Sequence, residues 1–204
     1  MGFYFHRIPR IFQYLFPRQL WHVPNFENKI FLTFDDGPTP EVTDFVLSTL
    51  QEYSVKATFF LLGEQLENHI ELAKRMRAFG HQLANHGYKH LDGKELTTNE
   101  YFANKNKGQD LIKTFNENPL FRPPYGWFKR SDRTVVWSLM AGDFDGNLNK
   151  EKCLAMLKTK TRVGDIVVFH DNEKSFDKLK WVLPRYLQFC VDQGFQFDLI
   201  PQEL

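Results

Sequence analysis

The sequence predicts an α/β domain built from parallel strand–helix units, arranged either as a barrel or as an open doubly wound sheet. Short apolar runs alternate along the chain with stretches of helical periodicity. The 204 residues contain no internal repeat, low-complexity tract or Pro/Gly/Ser-rich linker, so we expect a single domain. Ionisable residues stand at the ends of five apolar runs, which is where active sites form in parallel α/β folds.

The predicted strands are short apolar runs that end at turn-forming or charged residues. In chain order they cover residues 29–34, 55–61, 81–84, 120–122, 135–139, 166–169 and 195–199. Helices are predicted at 40–50, 64–79, 97–115, 150–160 and 178–193. Only nine residues separate Tyr125 from Val135, which is short for a helical crossover. Either that helix is reduced to a turn, or the barrel is incomplete there.

The composition limits the classes of partner. Lys and Arg number 26 against 25 Asp and Glu, and this balance argues against nucleic acid as the main partner. Cys153 and Cys190 lie in apolar, helix-like stretches without metal-type spacing. We predict that both are buried reduced thiols rather than a disulfide or a nucleophile.

Residues 1–28 form an aromatic and basic segment that precedes the predicted domain at 29–204. Residues 3–21 contain no acid, lack the apolar core of a signal peptide, and carry arginines that break any membrane-spanning segment. The favoured interpretation is a short helix that packs on one end of the domain, with Pro9 and Pro17 at its turns. The alternative is an interfacial membrane anchor. We therefore expect a cytoplasmic or peripherally membrane-associated protein.

The candidate site residues follow separate predicted strands. In parallel folds the carboxyl ends of strands line one mouth, so these side chains are expected to share a cavity. The set comprises Asp35, Asp36, His86, His90, Arg122, Asp143 and His170.

His86 and His90 are four residues apart, a spacing that puts both imidazoles on one face if the segment makes a helical turn. With one Asp carboxylate they form a ligand set that suits Zn²⁺ and also accepts Co²⁺, Ni²⁺, Mn²⁺ or Fe²⁺. Of the Asp35–Asp36 pair, Asp36 is predicted to bind the metal and Asp35 to take a proton from the attacking water. Each motif alone has a structural alternative, as surface histidines or turn-forming acids, but their joint occurrence favours a metal site.

The remaining charged residues are predicted to serve the proton transfers. His170 is suited to protonate the leaving group near neutral pH. Arg122 and Asp143 are predicted to form a charged pair that holds Asp35, and the alternative is a buried salt bridge without a catalytic part. Asp171 and Asn172 are interpreted as turn residues.

The ordered motifs resemble those of the NodB-homology polysaccharide deacetylases, the family-four carbohydrate esterases. The resemblance covers about residues 29–200 and is carried by 33–38 (Thr-Phe-Asp-Asp-Gly-Pro), 86–90 (His-Gly-Tyr-Lys-His), 122–126 (Arg-Pro-Pro-Tyr-Gly), 143–144 (Asp-Phe) and 167–170 (Val-Val-Phe-His). It implies a distorted (β/α)7, TIM-like barrel in a single domain. It also implies metal-dependent hydrolysis of N-acetyl groups or, in some members, O-acetyl groups.

The resemblance also implies a role for each motif residue. Asp35 matches the catalytic base, His170 the catalytic acid, and Asp36, His86 and His90 the metal ligands. Arg122 and Asp143 match the residues that orient the base. Tyr125 matches the position whose backbone N–H stabilises the oxyanion. Phe144 and Phe169, within the last two motifs, are assigned to the substrate pocket.

Three positions depart from the pattern of the family. Gly87 stands where the family usually has a Ser or Thr whose hydroxyl braces the loop, so we expect a less rigid metal site. Phe144 replaces a usual Trp and loses the indole donor. The short 126–134 connection either widens the cleft beside Arg122 or weakens the structure around it.

The sequence therefore predicts a metal-dependent hydrolase that removes acetyl groups from N-acetylated sugars of a peptidoglycan- or chitin-type polymer or oligosaccharide. One alternative keeps the site but changes the bond, as in an O-acetyl esterase or a non-sugar amidase. Another is an inactive, metal-containing carbohydrate-binding domain, which the complete set of acid, base and ligands disfavours. A structural membrane-associated domain would rest on the N-terminal segment alone.

Overall fold

The centre of the fold is a parallel β-sheet, seen in a computed structural model that describes residues 5–24 and 27–202. The strand order is β3-β2-β1-β5-β4, and β6 pairs with the first residues of β1. Every one of these strand pairs is parallel, as predicted. The strands are β1 (Lys29–Asp35), β2 (Thr58–Leu61), β3 (Gln82–Asn85), β4 (Leu139–Met140), β5 (Ile166–His170) and β6 (Gln196–Phe197).

The helices that follow β1 connect the strands, and their buried apolar residues pack on one side of the sheet. Within the described residues they are α1 (Arg10–Leu15), α2 (Val42–Glu52), α3 (Gly63–Asn68), α4 (Ile70–Ala78), α5 (Thr98–Ile112), α6 (Lys150–Lys160) and α7 (Glu173–Asp192). Helix α6 has the predicted bounds, and the Asn149 side chain caps its start. The helix predicted at 64–79 is divided at His69, whose φ of −133° is not helical. Helix α7 begins earlier than predicted because Asn172 accepts a hydrogen bond from the Ser175 N–H.

Alternation along β1 separates the apolar core from the site. Ile30, Leu32 and Phe34 belong to the large core between the sheet and the helices, which also contains the free, buried Cys153 and Cys190. The next residues in each case, Phe31, Thr33 and Asp35, point to the other side, because successive strand side chains alternate. A smaller cluster fills that side: Phe31, Phe60, Ala84, Leu120, Val135, Ile166 and Ile200. Asp35 is therefore the last inward-facing residue of β1.

Strand pairing is weakest in the chain segment between β3 and β4, which are the two end strands of the order given above. The predicted strands at 120–122 and 135–139 are largely wrong, since pairing there is reduced to the single-residue bridges of Phe121 and Val135 and to the two residues of β4. Consecutive prolines at 123–124 lack N–H donors and cannot extend a ladder. The connection that follows contains one 3₁₀ turn, Pro124–Gly126, in agreement with the predicted reduction of that helix to a turn.

The described part of the N-terminal segment runs along this weak region. The Leu20 N–H donates to the Thr134 carbonyl, and the Leu20 carbonyl accepts from the Val136 N–H. Nearer the start, the His6 carbonyl accepts from the Met140 N–H, and Arg7 pairs with the Asp165 carboxylate. These contacts satisfy backbone groups that the short strands leave unpaired. The domain boundary at residue 28 stays a prediction.

Candidate metal and catalytic site

Asp36 and two histidines converge at the carboxyl end of the sheet. An Asp36 carboxylate oxygen, Oδ1, lies 3.5 Å from His86 Nε2 and 3.3 Å from His90 Nε2. Asp36 follows the inward-facing Asp35, and its positive φ of 84° reverses the alternation of the strand. Both neighbouring carboxylates therefore reach the same mouth.

The three ligands fit a divalent metal ion. Their candidate donor atoms all lie within 4.8 Å of one another, and Asp36 Oδ1 is buried without a hydrogen-bond partner among the described residues. The His86 Nδ1 is 2.7 Å from the Arg122 carbonyl, to which it donates, so Nε2 carries the free lone pair. Burial lowers the pKa of His86 to about 3 against the opposing charge of Asp36, which keeps the ring neutral as a metal ligand requires.

The backbone conformation between His86 and His90 differs from the predicted helical turn. Residues 86–90 form a bend rather than a helical turn, with Gly87 at a φ of +89°. The two imidazole rings nevertheless come to a centroid separation of 5.4 Å. The H-x-x-x-H spacing identified the pair, but loop geometry brings the rings together.

Arg122 holds the second carboxylate of the Asp35–Asp36 pair. Its Nη1 donates to Asp35 Oδ1 at 2.6 Å and to Thr33 Oγ1 at 2.9 Å, while Nη2 donates to the Val136 carbonyl at 2.8 Å. The guanidinium also lies 4.0 Å above the Phe60 ring. Arg122 is fully buried, so burial lowers its pKa while the Asp35 charge raises it, and the pair is held in a dry environment.

Asp143 is paired with His170, and the predicted Arg122–Asp143 pair is wrong. Its Oδ1 lies 2.8 Å from His170 Nδ1, and its Oδ2 accepts the His170 backbone N–H at 2.8 Å. Burial by itself lowers the pKa of His170, but the charge and hydrogen bond of Asp143, with the charges of Asp36 and Asp35, raise it to about 9. Asp143 therefore contacts the predicted acid, and Arg122 contacts the predicted base.

Aromatic residues surround the mouth. Tyr125 has a positive φ of 57°, is 58% exposed, and its ring lies 4.5 Å from that of His90. Phe144 lies edge-on to His170 at 4.9 Å. Trp127 is exposed beneath the Lys94 ammonium, whereas Phe128 packs against Phe16 and Trp21 of the N-terminal segment.

Phe169 does not belong to the mouth, and its assignment to the substrate pocket is wrong. Its side chain is fully buried in the helix-facing core, stacked on Phe34 and beside Tyr186. It precedes the inward-facing His170 on β5, so alternation directs it to the opposite side of the sheet. The side chain has no surface to offer a substrate.

Asn172 contacts the predicted metal ligand Asp36, although its sequence context predicted only a turn residue. Its Nδ2 donates to Asp36 Oδ2 at 2.6 Å, while its Oδ1 caps α7. Asp171 beside it accepts from Thr43 Oγ1 and the Gly37 N–H, and burial together with the nearby Asp36 raises its pKa to about 8. An Asn that precedes a predicted helix by a few residues signals a cap, but its second contact depends on the fold.

A family model described as polysaccharide deacetylase matches residues 22–140. The chain belongs to the polysaccharide deacetylase family. The predicted family and its hydrolase class are thereby confirmed. Members use a divalent metal, and Asp36, His86 and His90 form the candidate site in this polysaccharide deacetylase.

Several relatives are similar over most of this chain. A peptidoglycan-N-acetylglucosamine deacetylase of Bacillus cereus is 31% identical over 195 residues, or 90% of this chain and 92% of that protein. The peptidoglycan-N-acetylmuramic acid deacetylase PdaC of Bacillus subtilis is 29% identical over 188 residues, or 88% of this chain and 39% of that protein. A crystal structure of a peptidoglycan N-acetylglucosamine deacetylase matches with a TM-score of 0.79 at 26% identity, covering 94% of this chain and 95% of that one. The predicted distorted (β/α)7 barrel in one domain is confirmed.

The corrected position of Phe169 leads to a stability prediction. Phe169→Ala is expected to lower the free energy of unfolding by about 3–5 kcal/mol, because it leaves a cavity in the core. Phe144→Ala, at the partly exposed mouth, is expected to cost about 1 kcal/mol. Urea unfolding of both variants measures the difference, and equal costs would contradict the assignment of the two rings to opposite sides of the sheet.

The His170–Asp143 pair leads to a prediction about pH. The folded-state pKa of about 9 exceeds the ordinary histidine pKa of 6.5, so the pair stabilises the fold fully below pH 6.5 and loses this contribution as the pH rises through 9. In chelator-treated protein, the stability difference between the native chain and Asp143→Asn should therefore shrink between pH 6.5 and 9. Urea titrations across that range test it, and a constant difference would contradict the pairing.

Proposed function

We propose that this polysaccharide deacetylase hydrolyses the N-acetyl amide of amino sugars in a peptidoglycan- or chitin-type polymer or oligosaccharide. The observation that carries the proposal is a metal-ligand set beside two charge pairs. Asp35, which pairs with Arg122, directly precedes Asp36 in the chain, and His170, which pairs with Asp143, is the register partner of Asp35 on the neighbouring strand β5. The named relatives act on peptidoglycan amino sugars, which supports this substrate class.

Asp36, His86 and His90 are the residues that would hold the metal. Zn²⁺ suits one carboxylate and two neutral imidazoles best, and Co²⁺, Ni²⁺ or Mn²⁺ suit the same set. When bound, a divalent metal lowers the pKa of a water and polarises the carbonyl of the substrate. His90 is 30% exposed and His86 only 3%, so substrate approaches from the His90 side.

Asp35 is proposed as the general base. Arg122 engages one of its oxygens, Oδ1, and leaves the second oxygen to accept the proton of the attacking water. The guanidinium is anchored by Thr33 and Val136 as well, so it holds the carboxylate in one orientation. Arg122 is therefore a positioning residue for the base.

His170 is proposed as the general acid. Its Nδ1 is engaged by Asp143, which leaves Nε2 to donate a proton to the departing amine nitrogen. The raised pKa of His170 keeps that proton available near neutral pH. The proposed base and the proposed acid are thus each paired with a group of opposite charge.

The mouth supplies the remaining contacts. The backbone N–H of Tyr125 is proposed to stabilise the developing oxyanion. The Phe144 ring beside His170 offers an apolar wall for the acetyl methyl group. An O-acetyl ester would meet the same groups, so ester hydrolysis is the second candidate. An inactive carbohydrate-binding domain would have no need of a buried Arg122–Asp35 pair.

The proposal predicts metal-dependent release of acetate from N-acetylglucosamine oligomers. Chelator-treated protein should be inactive and regain activity with Zn²⁺ or Co²⁺. Asp35→Asn should lower kcat by about 10²–10⁴-fold, because a general base is lost. The matched control is Asp177→Asn, which changes a fully exposed carboxylate on α7 and should leave kcat unchanged.

Acetate is quantified from N-acetylated oligomers and O-acetylated xylan in parallel. Faster release from the xylan would favour the esterase. No release from either substrate, by protein that binds Zn²⁺, would contradict the proposal and support a binding role.

The N-terminal segment is proposed to contact an anionic membrane surface. Helix α1 buries none of its residues, and Ile11, Tyr14 and Leu15 are 58%, 79% and 54% exposed. Arg10 and Arg18 are exposed at its two ends, and residues 5–24 contain no acid. An exposed apolar helix between arginines suits the headgroup region of anionic lipids. Among the described residues, no helix combines the length and apolar character needed to cross a bilayer.

This contact predicts binding to vesicles that contain phosphatidylglycerol and weaker binding to pure phosphatidylcholine. Replacing Ile11, Tyr14 and Leu15 together by Ser should lower the partition coefficient by about tenfold or more. The control replaces Ile70 and Val191, which are exposed elsewhere, by Ser. Cosedimentation measures both variants, and an equal effect of the two sets would contradict the proposed surface.

A further inference from the structure

The loop that joins the two metal histidines has its backbone hydrogen bonds satisfied from Gly87 to Lys89. The Gly87 N–H donates to Asn85 Oδ1 at 2.8 Å, and the Gly87 carbonyl accepts from the Gly63 N–H at 2.9 Å. The Tyr88 carbonyl accepts from the Glu64 N–H at 3.0 Å, and its N–H donates to a carbonyl of α5. The loop is held against α3 and α5 although it has no regular secondary structure.

Asn104 on α5 supplies three further hydrogen bonds to this loop. Its backbone carbonyl accepts the Tyr88 N–H at 3.0 Å. Its side-chain Oδ1 accepts the Lys89 N–H at 2.9 Å, and its Nδ2 donates to the Lys89 carbonyl at 2.9 Å. The amide thus bonds to both polar backbone groups of Lys89, and the Lys89 carbonyl also accepts from the Leu91 N–H at 2.9 Å.

Asn104 also occupies the space beside Gly87. A Cβ added to Gly87 would come within 2.7 Å of Asn104 Nδ2. That nitrogen belongs to a flexible side chain, but moving it breaks the bond to the Lys89 carbonyl. The Asn104 amide can therefore keep its bond to the Lys89 carbonyl because position 87 has no side chain.

The two histidines depend differently on this loop. His86 is buried and its Nδ1 is bound to the Arg122 carbonyl. His90 is 30% exposed, and its side chain contacts Asp36 Oδ1 and the rings of His86 and Tyr125. The backbone that leads to His90 also determines its position, and Asn104 holds that backbone at Lys89.

We propose that Asn104 is a positioning residue for the metal site and replaces the hydroxyl that Gly87 lacks. It acts on His90 through the Lys89 backbone and does not itself reach the ligand cluster. The inference rests on the proposed metal site at Asp36, His86 and His90. It means that this site keeps its loop rigid by a contact from another helix, in contrast to the looser site expected from Gly87.

The first test measures Zn²⁺ affinity by competition with a chelating indicator, which does not depend on hydrolysis. Asn104→Ala should raise the Kd about tenfold or more, as loss of an outer-shell contact commonly does. Asn104→Asp retains the acceptor for the Lys89 N–H and should lie between the native chain and Asn104→Ala. The matched control, Asn106→Ala, changes an exposed residue of the same helix and should leave the Kd unchanged.

The second test is a double-mutant cycle between positions 87 and 104. Gly87→Ala suffers from the positive φ of +89° in either background, and this cost cancels in the comparison. The clash with the Asn104 amide exists only when Asn104 is present. Gly87→Ala should therefore raise the Kd by a larger factor in the native background than in Asn104→Ala.

Thermal unfolding of the metal-free variants verifies that each is folded. If Asn104→Ala does not fold, the Kd of Asn104→Asp is compared with that of the native chain instead. Equal Kd values for the position-104 variants and Asn106→Ala would overturn the inference, as would equal factors in the two backgrounds. If the native chain binds no Zn²⁺, that result would instead contradict both the proposed metal site and the inference that rests on it. Zn²⁺ binding without acetate release would leave the role of Asn104 intact and refute the proposed activity.

Discussion

Arg122 is fully buried and contacts both the proposed base and one of the metal ligands. Its side chain binds Asp35, and its carbonyl accepts from His86 Nδ1, so the proposed base and one metal ligand are aligned by the same backbone position. A guanidinium this deep is tolerated because carboxylate, hydroxyl and carbonyl partners replace water at Nη1 and Nη2 and the Phe60 ring covers one face, while Nε is buried without a partner among the described residues. Removing either charge would leave the other unpaired in a dry environment, which costs more than the pair itself contributes.

Asp36 is the point where the remaining contacts meet. His86 and His90 approach one carboxylate oxygen, while Asn172 donates to the other. Asn172 also caps α7, so the start of that helix and the orientation of a metal ligand depend on the same side chain. Such outer contacts restrict the ligand without occupying its donor atom. The rigidity of the cluster therefore comes from α5 and α7 as much as from the strands that carry its members.

Local signals predicted some elements well and others poorly. Helix α6 was predicted with its observed bounds, and the Asn149 cap fixes its start, whereas the helix expected over 64–79 is interrupted at His69 without a proline or glycine signal. The apolar runs at 120–122 and 135–139 resemble strands, yet the prolines after 122 and the short connection leave them little pairing. The N-terminal segment supplies some of the missing backbone partners there, at Thr134, Val136 and Met140.

The sequence by itself determined the parallel α/β class, the family and the candidate metal-ligand set, because motif order and strand ends encode which residues share a mouth. Only the tertiary structure decided the partners. Asp143 binds His170 rather than Arg122, Phe169 points into the core, Asn104 bonds to the Lys89 backbone, and Asn172 bonds to Asp36. These choices follow from distances between residues far apart in the chain and from which face of a strand each side chain occupies. Residue type and spacing along the chain specify neither.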